Sequence, residues 1–379
     1  MSTATIQLKD TTTTVDSIES PRIDRPVAAL IGGGKISEQH LIALRKLDDV
    51  RIGGVCDLSP ALARFTAERF DVDEWYADYR DMLDQCPADV VHVLTPPATH
   101  DRIVRDCLDA GRHVIVEKPI ALSNDAFRRL WDDAASRGLW LIENQNYRFN
   151  EPIERISRAI ADGRIGTVQE VEVRMVLDIR SGGRYADANL PHPSHRLPAG
   201  IIHEFITHLT YLMLEFLPQG SMDVVDSVRA AWRNHGADRD DLFSYDDLDA
   251  TVLAGAAHGR IRFSCRQWPD CLAVTVRGSD GVAAAEVFHP MTQVITRRSV
   301  GQHLTPLVNS LAEAKAKTRS GFGSIWRKVR NRTAYEGLER FVALTYDAIR
   351  KGDVPPVGYD HIDETSRLID AMLAPENRI

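Results

Sequence analysis

The chain has no run of about 18 uninterrupted apolar residues, so no membrane-spanning helix is expected from its 379 residues. It is also poor in cysteine: Cys56, Cys86, Cys107, Cys265 and Cys271 make an odd number, with no C-x-x-C pair among them. That count argues against a disulfide framework or a zinc-thiolate site, and fits reduced thiols in a cytoplasm. Excess positive charge is missing too. The formal net charge of −8 argues against a general nucleic-acid binder. The N-terminus lacks a basic-then-apolar leader pattern, and residues 1–25, rich in Thr and Ser, read as a disordered extension. What remains is ordinary for a globular protein, at 44% hydrophobic and 26% charged residues, and the length suits two domains.

The most informative stretch runs from Ala28 to Ser37, where a short apolar run meets Gly32-Gly33-Gly34 and then a segment of helical spacing, Ser37 to Leu47. Strand, glycine turn and helix in that order fit the G-x-G-x-x-[small] pattern. Gly32 makes the tight turn, Gly34 leaves room for a pyrophosphate, and Ser37 takes the close-packing position. Lys35 and Ile36 lie between them, at the helix N-terminus whose free N–H groups attract an anion. Asp57 closes a second apolar run about 20 residues on, the spacing of a ribose-binding carboxylate, and a carboxylate there favours NAD over NADP.

Strands and helices then alternate through residues 26–149: strands at Asp89–Leu94, Arg112–Val116 and Leu139–Glu143, with helices at Pro60–Phe70, Thr99–Ala110 and from Ser123 to Arg137. Residues Trp75 to Asp84 read as a connection. The pattern predicts an α/β Rossmann domain with a doubly wound parallel sheet, whose sites lie at the carboxyl ends of its strands. From residue 150 to 379 the strands follow one another with gaps too short for crossover helices, beginning with the alternating run Val168–Leu177. This predicts an α+β C-terminal domain with an open, mostly antiparallel sheet, with helices at about 303–317, 333–350 and 361–373.

Three clusters have chemical potential. Lys118, between Glu117 and Pro119, sits at a strand end. In a partly dry cleft beside a cationic ring its pKa would fall, letting it exchange the proton of a substrate hydroxyl, although a surface pair with Glu117 is the plain alternative. The segment from Gly200 to Phe216 is an amphipathic helix on which Glu204 and His208 stack one turn apart, while His203 points about 140° away from His208. H-E-x-x-x-H is one residue too long for the zinc-protease motif, so no metal is assigned, with His192, His195 and His203 as the only alternative ligand set weighed. Finally, residues 315–332 hold seven basic side chains and no acid, a segment suited to a phosphorylated ligand, an anionic surface or an oligomer contact.

These residues together resemble the Gfo/Idh/MocA oxidoreductases, the relatives of glucose–fructose oxidoreductase and inositol dehydrogenase. The likeness rests on Gly32 to Ser37 with His40, Asp57, Thr95-Pro96-Pro97 with His100, Glu117-Lys118-Pro119 and the helix ending in His208, over residues 25 to 375. The resemblance implies hydride transfer between NAD (or NADP) and a hydroxyl of a sugar, a cyclitol or a nucleotide-linked sugar. It implies Lys118 as the catalytic lysine, with His208 and Glu204 beside it. It also implies Thr95, Pro96, His100 and Glu117 at the cofactor, and Asn146, Tyr147 and Arg148 at the substrate with His203. A homo-oligomer joined through the C-terminal sheets is implied as well. Glu204 stands where the family usually carries Asp. Two other readings keep the same residues: glycoside cleavage or epimerisation without net redox change, and a non-catalytic sensor of dinucleotide or sugar.

Overall fold

The structure is a computed structural model that describes residues 22–218, 228–236, 242–297, 310–311, 314 and 335–379. The helix expected at 303–317 and the basic segment 315–332 lie outside or almost outside the described residues, as does most of the extension before residue 26.

Strands β1 (Val27–Ile31), β2 (Arg51–Cys56), β3 (Trp75–Tyr76), β4 (Val90–Val93), β5 (His113–Val116) and β6 (Leu141–Glu143) form a parallel sheet in the order β3-β2-β1-β4-β5-β6. Helices α1 (Lys35–Leu44), α2 (Pro60–Phe70), α3 (Tyr79–Gln85), α4 (His100–Asp109) and α5 (Asn124–Ser136) supply the crossovers. The central strands are buried along their whole length, which is why they read as short continuous apolar runs. The order reverses between β1 and β4, and the crevice at that switch point is where such sheets bind ligands.

The doubly wound sheet matches expectation, with two local differences. The stretch from Trp75 to Asp84, read as a connection, holds β3 and nearly all of α3. A two-residue strand is too short to show a period, and the start of α3 is set by Asp78, whose carboxylate accepts from the Arg80 N–H. Helix α1 begins at Lys35, directly behind the glycine turn, two residues earlier than its apolar spacing indicated. Ser123 caps α5 as its type predicts, accepting from the Ala126 N–H.

After helix α6 (Glu151–Ala161), β7 (Val168–Val176) enters a second sheet. Helix α7 (Ile201–Leu214) packs on it. Strands β8 (Arg229–Arg233), β9 (Asp247–Ala254), β10 (Ala257–Ser264), β11 (Cys271–Gly278), β12 (Gly281–Glu286) and β13 (Met291–Thr296) complete it. The order is β13-β12-β11-β7-β10-β9-β8; only β7 and β10 run parallel. The alternation read in 168–177 is real: Val171, Val173 and Met175 are buried against α7 while Glu170, Glu172 and Arg174 face away.

Two helices close the chain, α8 (Glu336–Lys351) and α9 (Tyr359–Leu373). Leu338, Phe341, Val342 and Tyr346 of α8 join the core of the parallel-sheet domain, and Leu368, Ile369 and Met372 of α9 that of the second. The Asn124 side chain donates to Asp363 at 2.8 Å and Arg128 pairs with the same carboxylate at 2.7 Å, tying α5 to α9. Among the described residues no helix is long and apolar enough to cross a membrane.

Candidate functional site

A cleft of about 550 Å³ opens at the carboxyl edge of the parallel sheet and is closed on its other side by α7 and the loop before it. Its floor is the turn after β1. Gly32 has φ +107°, and a Cβ there would lie 2.8 Å from the Leu94 carbonyl oxygen, so the turn accepts only glycine. Gly34 differs: its φ is −72° and a Cβ would meet nothing within 4 Å, because it would project into open space. That open backbone, with the N-terminus of α1 behind it, fits a dinucleotide pyrophosphate. Lys35 and Ile36 line the same end of the cleft, and Ser37 is fully buried beneath it. Asp57 accepts from the Gly33 and Ser59 N–H groups, each at 2.8 Å, which holds its carboxylate beside the turn.

Thr95 and Pro96 also line the cleft. His100 does not; it is buried behind, its two ring nitrogens 2.7 and 2.8 Å from the carbonyl oxygens of Thr95 and Pro119, so it ties the turn after β4 to the Lys118–Pro119 segment. Glu117 lines the cleft and accepts from the Asn144 amide at 2.6 Å.

Lys118 and Glu204 meet across the cleft. Nζ donates to the Glu204 carbonyl at 2.7 Å and lies 3.3 Å from its Oε1, while the Ser194 hydroxyl donates to Oε2 at 2.7 Å. Burial alone would lower the Lys118 pKa, but the Glu204 and Glu117 carboxylates outweigh it and hold the ammonium above its ordinary range. The expected lowering supposes a cationic ring beside Nζ; among the protein's own groups the second carboxylate, Glu204, turns the direction upward. Glu204, for its part, is penalised by burial yet kept below the usual carboxylate range by Lys118 and Ser194.

His208 lines the cleft one turn along α7. Burial, with Lys118 nearby, holds it well below its ordinary pKa, so it is neutral. The Tyr211 hydroxyl accepts from the Tyr147 N–H at 3.3 Å and sits 2.7 Å from His208 Nδ1. With that hydroxyl donating to Nδ1, the imidazole proton lies on Nε2, which is then free to donate. The Tyr147 ring packs on the imidazole with centroids 4.5 Å apart, and both Asn146 and Tyr147 line the cleft.

Two expected substrate contacts lie elsewhere. Arg148 is held by Glu215 at 2.7 Å and by Gln145 at 3.0 Å, and does not line the cleft. His203 is 1% exposed and lines a small separate cavity with Thr207, Glu143 and α9. Its place on the helix, 100° from Glu204, turns it away from Lys118. The alternative metal set fails likewise: His192 lines the cleft, His195 Nε2 is 2.7 Å from the Tyr185 carbonyl, and His203 faces the other side. Among the described residues the one converging group of potential ligands is His235, Asp246 and Asp247, where Arg180 already neutralises Asp246 at 2.9 Å.

Sequence reasoning placed Asn144 at a strand end without giving it a role and missed Ser194, Tyr185 and Arg184; all four line the cleft. Asn144 directly follows β6, at one of the strand ends where the sites of such a sheet lie. The others come from an irregular loop whose path no periodicity reveals.

Residues 27–145 match the family model described as the oxidoreductase family, NAD-binding Rossmann fold (GFO_IDH_MocA). The chain is 31% identical to a D-apiose dehydrogenase of Paraburkholderia graminis over 179 residues, 47% of this chain and 48% of the relative. It is 27% identical to a myo-inositol 2-dehydrogenase of Thermotoga maritima over 137 residues, 36% and 41% of the two chains. The matched stretches thus span less than half the length of these relatives. A levoglucosan dehydrogenase solved with NADH and levoglucosan superposes with a TM-score of 0.75 at 17% identity, over 93% of this chain and 96% of that one, which shows a common fold for both domains. Over residues 27–145 the chain thus matches the NAD-binding Rossmann domain of the Gfo/Idh/MocA oxidoreductases, and its second sheet shares the fold of that solved dehydrogenase.

Proposed function

We propose that this chain is an NAD(P)-dependent oxidoreductase acting on a hydroxyl or keto group of a sugar, a cyclitol or a nucleotide-linked sugar. The observation that carries the reading is one cleft holding the open Gly34 backbone at one end and the Lys118–Glu204–His208 cluster at the other. We assign the dinucleotide to residues 26–149 and the remaining wall of the substrate site to residues 150–379. When bound, the nicotinamide supplies or accepts the hydride.

The protein's own residues handle position and protons. Lys118 Nζ carries the proton that a substrate oxygen gains on reduction and takes it up on oxidation. His208 donates from Nε2 to that oxygen, and the Glu204 carboxylate accepts from a neighbouring hydroxyl while keeping Lys118 charged. Because Lys118 is held as an ammonium, the site is set for reduction at neutral pH, and oxidation gains as the pH rises. Asp57 favours NAD, since its carboxylate accepts from ribose hydroxyls and repels a 2′-phosphate.

The test is a panel of sugars, inositols and nucleotide-sugars followed by NADH absorbance, with Lys118→Ala beside the wild type. Loss of about 10²–10⁴ in kcat with NADH binding retained is expected. Undiminished turnover in Lys118→Ala overturns the assignment. Product formed without net NADH change replaces net oxidation by cleavage or epimerisation.

A further inference from the structure

We propose that Tyr346 and His92 are positioning residues, the far end of a buried one-directional hydrogen-bond chain that runs through His40 and holds the Glu117 carboxylate in place beside Lys118. The inference deepens the proposed function, since it concerns one of the two carboxylates that hold Lys118 charged.

The chain joins four side chains from four elements. His40 Nε2 on α1 lies 3.4 Å from Glu117 Oε1 at the end of β5. His40 Nδ1 is 2.9 Å from His92 Nδ1 on β4, and His92 Nε2 is 2.8 Å from the Tyr346 hydroxyl on α8. His40 and His92 are fully buried and Tyr346 is 1% exposed, so no solvent satisfies any of these atoms. Tyr346 lies 254 residues from His92 in sequence, and no local rule of helix or strand requires the pair.

The donors and acceptors follow one order when the Asn144 amide, 2.6 Å from Glu117 Oε1 and 3.4 Å from His40 Nε2, donates to the carboxylate. Glu117 is ionised: burial opposes this, but His40, Lys118 and Asn144 bring its pKa down to about 2. A carboxylate only accepts, so His40 donates from Nε2. A neutral imidazole then accepts at Nδ1, so His92 donates from its Nδ1 and accepts at Nε2. Tyr346 donates there. Reversed, the Tyr346 hydrogen would have no acceptor, and the His40 Nε2 lone pair would face the Glu117 carboxylate with the Asn144 amide, at 3.4 Å, as its donor. Burial keeps His92 neutral, as the ordering needs.

The surrounding charges are consistent with that direction. Asn144 donates to Glu117 at 2.6 Å, the Lys118 N–H lies 3.3 Å from Glu117 Oε2, and Asp89 disfavours ionisation of Tyr346. Buried Glu143 is raised towards its neutral form, with Glu117 contributing to the shift, while Glu117 also helps keep Tyr147 protonated. His100, also buried and lowered, feels Glu117 and Lys118 but binds the carbonyl oxygens of Thr95 and Pro119 instead. Removing the Tyr346 hydroxyl leaves His92 Nε2 a buried acceptor without a donor. His92 then relaxes by turning or admitting water, His40 loses its fixed tautomer, and Glu117 loses its oriented donor.

The test uses the full chain without cofactor, so it stands apart from the identity of the reaction. Two-bond ¹⁵N–¹H spectra of ¹⁵N-histidine protein should show His40 protonated at Nε2 and His92 at Nδ1, with His92 gaining no second proton between about pH 8 and pH 5. In Tyr346→Phe the ε-carbon resonance of Lys118 should titrate about half a unit to one unit lower. Thr345→Val, on the same helix with a buried hydroxyl that has no partner, should leave it unmoved. Where a substrate is in hand, kcat should fall about three- to tenfold with NADH binding unchanged. The opposite tautomers in the wild type overturn the proposal, whether or not Tyr346→Phe folds. So does a folded Tyr346→Phe in which Lys118 titrates as before.

Discussion

Gly34→Ala and Gly32→Ala separate binding from folding at neighbouring positions. Gly34 caps α1 with φ −72° and ψ −175°, a conformation alanine adopts freely, and its added methyl would touch nothing within 4 Å. Replacing it removes unfolded-state entropy worth about 0.4–1 kcal/mol. It also loses about as much in cap preference. The melting temperature should therefore stay within about 2 °C of the wild type. The methyl nevertheless stands where the pyrophosphate must approach the backbone, and NADH should bind about 10- to 100-fold more weakly, or roughly 1.4–2.7 kcal/mol. Gly32→Ala should do the reverse of a selective change. Its φ of +107° costs about 1–3 kcal/mol for a side chain. The Cβ also meets the Leu94 carbonyl carbon at 2.9 Å and its oxygen at 2.8 Å, so β1 and β4 must move apart. A loss of order 3–5 kcal/mol, and of roughly 10 °C, follows. Thermal unfolding by circular dichroism and NADH titration by fluorescence read both variants. If Gly34→Ala binds NADH as tightly as the wild type, the pyrophosphate does not lie over this turn and the cofactor placement is wrong.

Glu204→Gln removes one of the two carboxylates that hold Lys118 charged, so the alkaline rise in the oxidation rate should occur at lower pH than in the wild type; an unmoved midpoint in the pH profile of kcat/KM refutes the pairing. The sign is fixed by the raised Lys118: its proton is present at neutral pH and is lost only as the pH climbs through its folded value, so oxidation gains and reduction declines on the alkaline side. Asp57→Asn should narrow the preference for NADH over NADPH, checked by titrating both; a wild type that binds NADPH more tightly removes the premise.

The Rossmann half was legible because its signals are local. A glycine turn announces itself by residue type, buried strands by short apolar runs, and the strand-end rule then locates Asp57, Thr95, Glu117 and Asn146 without any knowledge of packing. The second half gave its strands away by alternation, but not which surfaces would face the cleft. Helical spacing did place Glu204 and His208 together and His203 apart, and the last of these was decisive: one residue along α7 moves a histidine from the cleft to a separate cavity. Arg148 failed for a different reason, since its ion pair with Glu215 joins residues 67 apart and no spacing rule foretells it.

The charge of Lys118 shows where local reading stops. From its neighbours in sequence it has one acid, Glu117, and a dry setting, which together leave the direction of its shift undecided. The direction is settled by Glu204, 86 residues away, whose carboxylate and carbonyl both face Nζ. Glu117 in turn owes its charge to His40, 77 residues away, which is oriented through His92 by a tyrosine on the penultimate helix. Lys118 is thus governed by side chains distant from it in sequence, and its proton affinity is a property of the tertiary fold. This is also why Glu204, and not the glycine turn, is the residue at which exchange for the family's usual aspartate bears on chemistry as well as on substrate fit. A shorter carboxylate would alter its distance from Lys118 Nζ and from Ser194 together, changing the proton donor and the shape of the substrate pocket in one step.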